Sequence, residues 1–143
     1  MSALDLVWRE MREDERNYVL SSWLRSYAGK GQDPRDYAEH ARFYDDYAPV
    51  VRNLVTRSRI AVATLRDEPA LMLGWVAIEG DALHYVVTKP RWRRMGVAKW
   101  MLSDFASMPV VFTHRTTDAL RCPIPSGWTY RRWRVWPAEE KAA

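Results

Sequence analysis

The basic segment at residues 89–100, with the sequence KPRWRRMGVAKW, contains the residues best suited to chemistry. Five cationic side chains lie around a single glycine, Gly96. Arg93 and Arg94 can bind a phosphate through charge-assisted hydrogen bonds, each contributing about 1.5–3 kcal/mol. Small residues at Gly96 and Ala98 allow the backbone to approach an anion closely. The segment therefore predicts a phosphate or pyrophosphate site, although its spacing matches neither the Walker loop nor the GxGxxG dinucleotide pattern.

The elements around this segment predict a mixed α/β fold. Apolar residues alternate in several short runs, which indicates strands, and recur every three or four residues elsewhere, which indicates helices. Pro49 interrupts the second helix, so we expect a kink there, or two short helices. A β-α-β unit around the basic segment predicts two parallel strands. The expected elements are strand 4–9, a helix from Arg12 to about Ala28, a helix from Asp33-Pro34 to about Val55, strands 59–65, 70–79 and 82–88 in an antiparallel meander, helix 96–106, strand 109–114 and strand 128–136.

Composition limits the class of protein. The 143 residues, 48% hydrophobic and 28% charged, predict one globular domain over 1–143, with residues 137–143 as a frayed tail. No apolar run reaches the 18 residues of a membrane span, so we expect no membrane partner. The single cysteine, Cys122, cannot form an intramolecular disulfide, and we expect a cytoplasmic protein.

The segment and its surroundings resemble the acyl-CoA-binding motif of the GNAT superfamily of N-acetyltransferases, [Q/R]-x-x-G-x-[G/A]. Here the motif reads Arg93-Arg94-Met95-Gly96-Val97-Ala98, after Pro90 and a strand, and the order of elements agrees over roughly residues 4–114. The compact size and the segment LSSWLRSYAG (20–29) also resemble those of phage-encoded GNAT-like proteins.

The resemblance implies a mostly antiparallel central sheet, a bulge in the fourth strand, a V-shaped splay between strands 4 and 5, and helices on both faces. It also implies an N-acetyltransferase that uses acetyl-CoA as cosubstrate and no metal, in which an amine attacks the thioester directly. Main-chain groups of Val86, Val87 and Thr88 would bind the pantetheine arm, and an N–H near Val87 would stabilise the oxyanion. The pyrophosphate would be held by the backbone N–H groups of residues 94–98 and by two arginines; the whole set is Arg93, Arg94, Met95, Gly96, Val97 and Ala98.

Candidates for proton transfer follow from residue type and position. His84 lies on the motif strand and His114 at the end of the fifth strand, and histidine titrates near neutral pH. Tyr85 and Glu79 are further candidates for the base. The tyrosine that donates a proton to the leaving thiolate in many GNAT members has no counterpart after residue 114, and the sequence leaves Tyr130 and Cys122 as alternatives.

Two other functions stay open at this point. Arginines interleave with Trp92, Trp128 and Trp133, which would suit stacking and phosphate contacts with nucleic acid, as a binding or modifying protein. A catalytically inactive GNAT-fold binding module is the other alternative. The acceptor amine and the oligomeric state are not indicated by the sequence.

Overall fold

The computed structural model describes residues 4–28, 37–105, 110–113, 127–131 and 134. These residues form one six-stranded sheet in the order β1-β2-β3-β4-β5-β6. The elements are β1 (Leu6–Glu10), a 3₁₀ turn (Glu13–Glu15), α1 (Arg16–Ala28), α2 (Tyr37–Arg57), β2 (Arg59–Leu65), β3 (Gly74–Glu79), β4 (Ala82–Thr88), a 3₁₀ turn (Pro90–Trp92), α3 (Val97–Ser103), β5 (Val111–Phe112) and β6 (Thr129–Tyr130).

The sheet is mostly antiparallel, as the sequence predicts. β1 to β4 pair antiparallel in succession, whereas β4 pairs with β5 in parallel. The β3–β4 hairpin turns at Gly80, whose φ of 59° is a left-handed conformation that glycine adopts without strain. β6 pairs parallel with β5. The predicted fold class, a mixed and mostly antiparallel sheet, is confirmed.

Two hydrophobic clusters lie on opposite faces of the sheet. One cluster contains α1 and α2 side chains such as Trp23 and Leu54, packed against Trp75 and Tyr85 of the sheet. The other contains α3 residues, including Met101, packed against the reverse face. All seven residues of β4 are buried. The central position of β4 between these layers explains why this strand can hold a site rigidly.

Several expected boundaries differ from those observed. α2 runs continuously through Pro49, so the alternative of two short helices is wrong; the proline lacks an N–H but the rest of the helix continues around it. The helix expected from Arg12 begins with a 3₁₀ turn and becomes α-helical at Arg16. The expected strand 128–136 ends at Tyr130 among the described residues, where a turn with a hydrogen bond from the Arg134 N–H to the Arg131 carbonyl follows. The expected helix start at 33–34 lies outside the described residues.

Candidate active site between strands 4 and 5

The parallel pairing of β4 with β5 ends after two residue pairs. Ala82 lies opposite Val111 and Leu83 opposite Phe112. A further backbone hydrogen bond runs from the Thr113 N–H to the Leu83 carbonyl, at 3.2 Å. From there β4 continues to Thr88, paired with β3 on one side. No strand in the described part of the chain pairs with its other edge beyond this point, so an open edge begins where Thr113 lies.

A β-bulge at His84 decides which backbone groups face that open edge. In the ladder with β3, Leu83 pairs with Ile78 and Tyr85 pairs with Ala77, so His84 is an extra residue without a partner. Beyond the bulge, the Lys89 N–H donates to the Leu73 carbonyl on the β3 side, at 2.8 Å. Because N–H and C=O directions alternate along a strand, the groups of Val87 also face β3. Those of Val86 and Thr88 therefore face the open edge.

The loop after β4 presents backbone to solvent. It contains two residues in the left-handed conformation, Arg94 at φ 64° and Gly96 at φ 84°. The first hydrogen bond of α3 runs from the Trp100 N–H to the Gly96 carbonyl, so the N–H groups of Val97 and Ala98 precede the helical ladder. Turn conformations of this kind direct successive N–H groups to one side, as anion sites require.

The motif side chains divide between anchoring the loop and facing solvent. Arg93 Nε donates to the Thr88 carbonyl at 3.2 Å, which links the loop to the end of β4. Val97 is buried and anchors α3, whereas Arg94 and Met95 are exposed. A Cβ added at Gly96 would meet no atom of the described residues within 4 Å. As far as the described residues extend, the space beside Gly96 is therefore open to a ligand.

His84 lies at the apex of the splay, in a hydrogen-bonded network. Its Nδ1 is 3.0 Å from Thr113 Oγ1, and its Nε2 is 2.9 Å from Glu79 Oε1. Arg57 donates two further hydrogen bonds to the Glu79 carboxylate, each 3.1 Å long. The His84 side chain has no exposed surface, whereas that of Glu79 is 37% exposed. The network therefore joins a buried imidazole to a carboxylate that solvent reaches.

No protein-family model and no curated protein matches the sequence. Solved structures do match the fold. Apo-form YjaB from Escherichia coli, solved in solution, matches with a TM-score of 0.52 and 19% identity over 72% of this chain. A protein from Rhodopseudomonas palustris, described as "GCN5-Related N-acetyltransferase: Aminotransferase, Class-II", matches with a TM-score of 0.50 and 14% identity over 73% of this chain. The match spans 65% and 64%, respectively, of the lengths of those two proteins.

The chain has the GNAT fold. The splay between β4 and β5, the bulge in β4 and the turn that leads into α3 occur at the places that the resemblance implies. At these identities the likeness to solved structures concerns the fold alone. The roles of individual residues therefore depend on the geometry of this chain.

Within this GNAT fold the four candidate bases have different surroundings. His84 lies at the apex of the splay, within hydrogen-bond distance of Thr113 and Glu79. Tyr85 lies on the α1–α2 face, 4% exposed, with its ring stacked on that of Trp23 at a centroid distance of 5.2 Å. His114 lies outside the described residues. The structure thus brings His84 and Glu79 together at the splay and places the ring of Tyr85 in an aromatic cluster with Trp23 and Trp75.

The pKa directions agree with a neutral imidazole beside a charged carboxylate. Burial lowers the pKa of His84 below its ordinary value of 6.5; the hydrogen bond to Glu79 opposes this, and the charges of Arg57 and Arg134 add to it. Burial alone would raise the pKa of Glu79, but hydrogen bonds from Arg57 and His84 bring it below the ordinary 4.5. The lowered pKa favours the neutral form of the His84 imidazole at neutral pH.

Sequence reasoning did not find Thr113, Arg57 or Tyr18. Thr113 and Arg57 join the His84 network, and Tyr18 lies beside the end of β4, where the Lys89 ammonium is 4.7 Å from its ring centroid. A hydroxyl at the end of a predicted strand was a usable signal for Thr113. No feature of the sequence indicated a role for Arg57, because its contact with Glu79 depends on how α2 packs against the sheet.

Two further observations concern the described residues alone. They contain no group of three or more His, Cys, Asp or Glu side chains placed to hold a metal ion. No helix within the described ranges combines the length and apolar character needed to cross a membrane.

Proposed function

We propose that this protein is an acyl-CoA-dependent N-acyltransferase that transfers the acetyl group of acetyl-CoA to an amine by direct attack on the thioester. One observation carries the proposal: among the described residues, the edge of β4 is open from the bulge at His84 onward, and it leads directly into the loop that contains Arg94 and Gly96 in left-handed conformations. An open strand edge suits an amide-containing arm, and the loop suits the phosphates to which that arm is joined.

The open edge and the loop would bind the cosubstrate in sequence. Val86 and Thr88 would hydrogen-bond the amides of the pantetheine arm, while the N–H groups of residues 94–98 would hold the pyrophosphate with help from Arg94. The Thr88 hydroxyl supports this fit, because Thr88 Oγ1 is buried and has no hydrogen-bond partner within the described residues. A buried hydroxyl without a partner carries a desolvation cost that a polar group of a ligand would remove.

The chemical step needs a base and a group that stabilises negative charge. An amine such as lysine has a pKa near ~10.4 and is mostly protonated at neutral pH, so it must lose a proton before or during attack. His84 is the base that the geometry favours, since it is neutral and lies at the apex of the splay. The N–H of Val86 faces the open edge and would stabilise the oxyanion, whereas that of Val87 faces β3. The acid that protonates the thiolate is left unassigned.

Isothermal titration of the protein with acetyl-CoA tests the proposal. We expect saturable binding in the micromolar range, and much weaker binding of pantetheine, which lacks the phosphates. Absence of heat with acetyl-CoA at high micromolar concentration would refute it. Turnover is then followed by mass spectrometry of a panel of amines, and binding without any turnover would support the inactive binding module instead.

The nucleic-acid alternative receives less support from the described arginines. Arg93 bonds the Thr88 carbonyl and Arg134 bonds the Asp81 carboxylate, so both are engaged within the chain. Arg91 packs on the ring of its neighbour Trp92, at 5.6 Å. We therefore do not adopt this function, and undetectable DNA or RNA binding at low salt is the expected result. A single domain over 1–143, a cytoplasmic location and a phage source stay predictions.

A further inference from the structure

His84 cannot reach an amine directly without losing a hydrogen bond. Both ring nitrogens have partners, Thr113 Oγ1 at 3.0 Å and Glu79 Oε1 at 2.9 Å, and its side chain has no exposed surface. A base in this position exchanges protons through its neighbours. One of these two neighbours must then receive the proton from the amine, and the other must release it to solvent.

The direction of each hydrogen bond follows from the charge on Glu79. An ionised carboxylate only accepts, so Nε2 of His84 carries a hydrogen and donates it to Glu79. In the neutral ring Nδ1 is then an acceptor, and the Thr113 hydroxyl donates to it. The resulting chain of donors runs from Thr113 through His84 to Glu79.

The second contact of Thr113 allows the same arrangement to hold an extra proton. Thr113 Oγ1 also lies 3.4 Å from the His84 carbonyl. When the imidazole is protonated, Nδ1–H donates to the hydroxyl oxygen, and the hydroxyl hydrogen can turn to that carbonyl. Thr113 therefore has a hydrogen-bond arrangement for each protonation state of His84.

The two ends of the chain lie in different places. Thr113 forms a β5-to-β4 backbone hydrogen bond at the point where the strands separate. Glu79 ends β3, beside the start of β4, and is partly exposed. The cosubstrate loop follows the far end of β4, about 15 Å away at ~3.3 Å per residue. A proton that leaves through Glu79 would not need to pass the bound acetyl-CoA.

We propose that Thr113, His84 and Glu79 form a proton relay that carries the proton of the acceptor amine from the apex of the splay to solvent. The amine proton passes to the Thr113 oxygen as the hydroxyl proton moves to Nδ1 of His84. The resulting imidazolium then passes its Nε2 proton to the Glu79 carboxylate, which releases it to water and returns to its ionised form. The ring is left with its hydrogen on Nδ1. After the products leave, water takes the Thr113 hydroxyl proton, Thr113 takes the Nδ1 proton, and Nε2 regains a hydrogen from water through Glu79, which restores the starting tautomer. This inference rests on the proposed acetyl transfer and adds Thr113 as its relay residue and Glu79 as its outlet.

The charged groups around His84 come from several elements. Glu79 lies on β3, Arg57 on α2, and Arg134 follows β6; the two arginines disfavour the imidazolium and Glu79 favours it. Loss of the Glu79 charge should therefore lower the pH at which His84 becomes protonated. Because catalysis needs a neutral His84, the acidic limb of the kcat profile should move to lower pH in Glu79→Gln.

The experiment measures acetyl transfer from acetyl-CoA to benzylamine and to spermidine across pH 5–9. In Thr113→Val we expect kcat to fall about 100-fold, within the ~10²–10⁴ range of a general base, with the KM for acetyl-CoA unchanged. Thr113→Ser keeps the hydroxyl and should restore kcat to within about threefold. Thr56→Val and Glu68→Gln, which lie outside the network, are the matched controls.

The outcomes separate this inference from the proposed function. If acetyl-CoA does not bind the wild type, the acyltransferase proposal fails. If the wild type turns over but Thr113→Val keeps its kcat, or Glu79→Gln leaves the acidic limb in place, the relay is wrong and the acyltransferase stands. Acetylation of Thr113 in the intact mass spectrum would also overturn the relay, because Thr113 would then be a nucleophile. Binding without turnover of any amine leaves no proton to carry and overturns it as well.

Discussion

Two glycines with a positive φ provide a controlled test of the cosubstrate loop. Gly96 has φ 84° and Gly80 has φ 59°, and a Cβ added at either would meet no atom of the described residues within 4 Å. Alanine at either position is therefore strained by its conformation and not by contacts. The cost of a left-handed residue is about 1–2 kcal/mol.

We expect Gly80→Ala and Gly96→Ala to lower stability equally but to differ in their effect on acetyl-CoA binding. At roughly 4 °C per kcal/mol for a domain of this size, both Gly80→Ala and Gly96→Ala should lower Tm by about 4–8 °C. Only Gly96 lies in the loop proposed to hold the pyrophosphate. We expect Gly96→Ala to raise the Kd for acetyl-CoA at least tenfold, or about 1.4 kcal/mol, and Gly80→Ala to leave it unchanged.

A charge at the same position increases the expected effect. In Gly96→Glu a carboxylate about 4 Å from a phosphate would add roughly 1–4 kcal/mol of repulsion, depending on exposure to solvent. Binding should then fall at least about 50-fold in isothermal titration, while circular dichroism shows a folded protein. Equal loss of acetyl-CoA binding in Gly80→Ala and Gly96→Ala, or full binding by folded Gly96→Glu, would refute the placement of the pyrophosphate.

Further predictions concern the strands that frame the site. A Cβ at Gly74 would lie 2.6 Å from the Val87 carbonyl oxygen, so Gly74→Ala should force β3 and β4 apart and cost about 1–3 kcal/mol in urea unfolding; an unchanged midpoint would contradict this packing. His84 has a lowered pKa in the folded state, so the unfolded chain binds more protons than the folded protein just below pH 6.5. The free energy of unfolding should therefore decrease as the pH is lowered through this range, by at most about 1.4 kcal/mol per pH unit. His84→Gln should remove that part of the slope in denaturant titrations, and an unchanged slope would mean that His84 is not the group responsible. The contribution of Glu79, whose pKa is also lowered, should be lost only below pH 4.5.

Much of the fold was predictable because it depends on local patterns. The meander follows from alternating apolar runs and from a hairpin at Gly80-Asp81, and the parallel pairing of β4 with β5 follows from the helix between them. The length of the last strand was not predictable in this way. The alternating Arg and Trp residues after 128 favour a longer strand. Within the described part of the chain, the ladder between β5 and β6 consists of Val111 opposite Thr129 and Phe112 opposite Tyr130.

The site was predictable where one continuous segment builds it. The loop at 93–98 has the open glycine and the exposed arginine that the motif implies. The network around His84 was predictable only in part, because its members come from α2, β3, β4 and the end of β5. Arg57 and Thr113 are separated from His84 by 27 and 29 residues along the chain. Such contacts depend on the register of the sheet, which the residue types do not determine.

The bulge in β4 shows how strand register determines which groups face the proposed site. The segment ALHYVVT reads as a regular strand, and in a regular strand the groups of Tyr85 and Val87 would follow those of Leu83 toward β5. The extra residue, His84, shifts this alternation by one, so Val86 and Thr88 face the open edge instead. The same insertion places the His84 carbonyl and imidazole beside Thr113. One inserted residue thus selects both the backbone groups that we propose to bind the thioester and the side chain that we propose to remove a proton beside it.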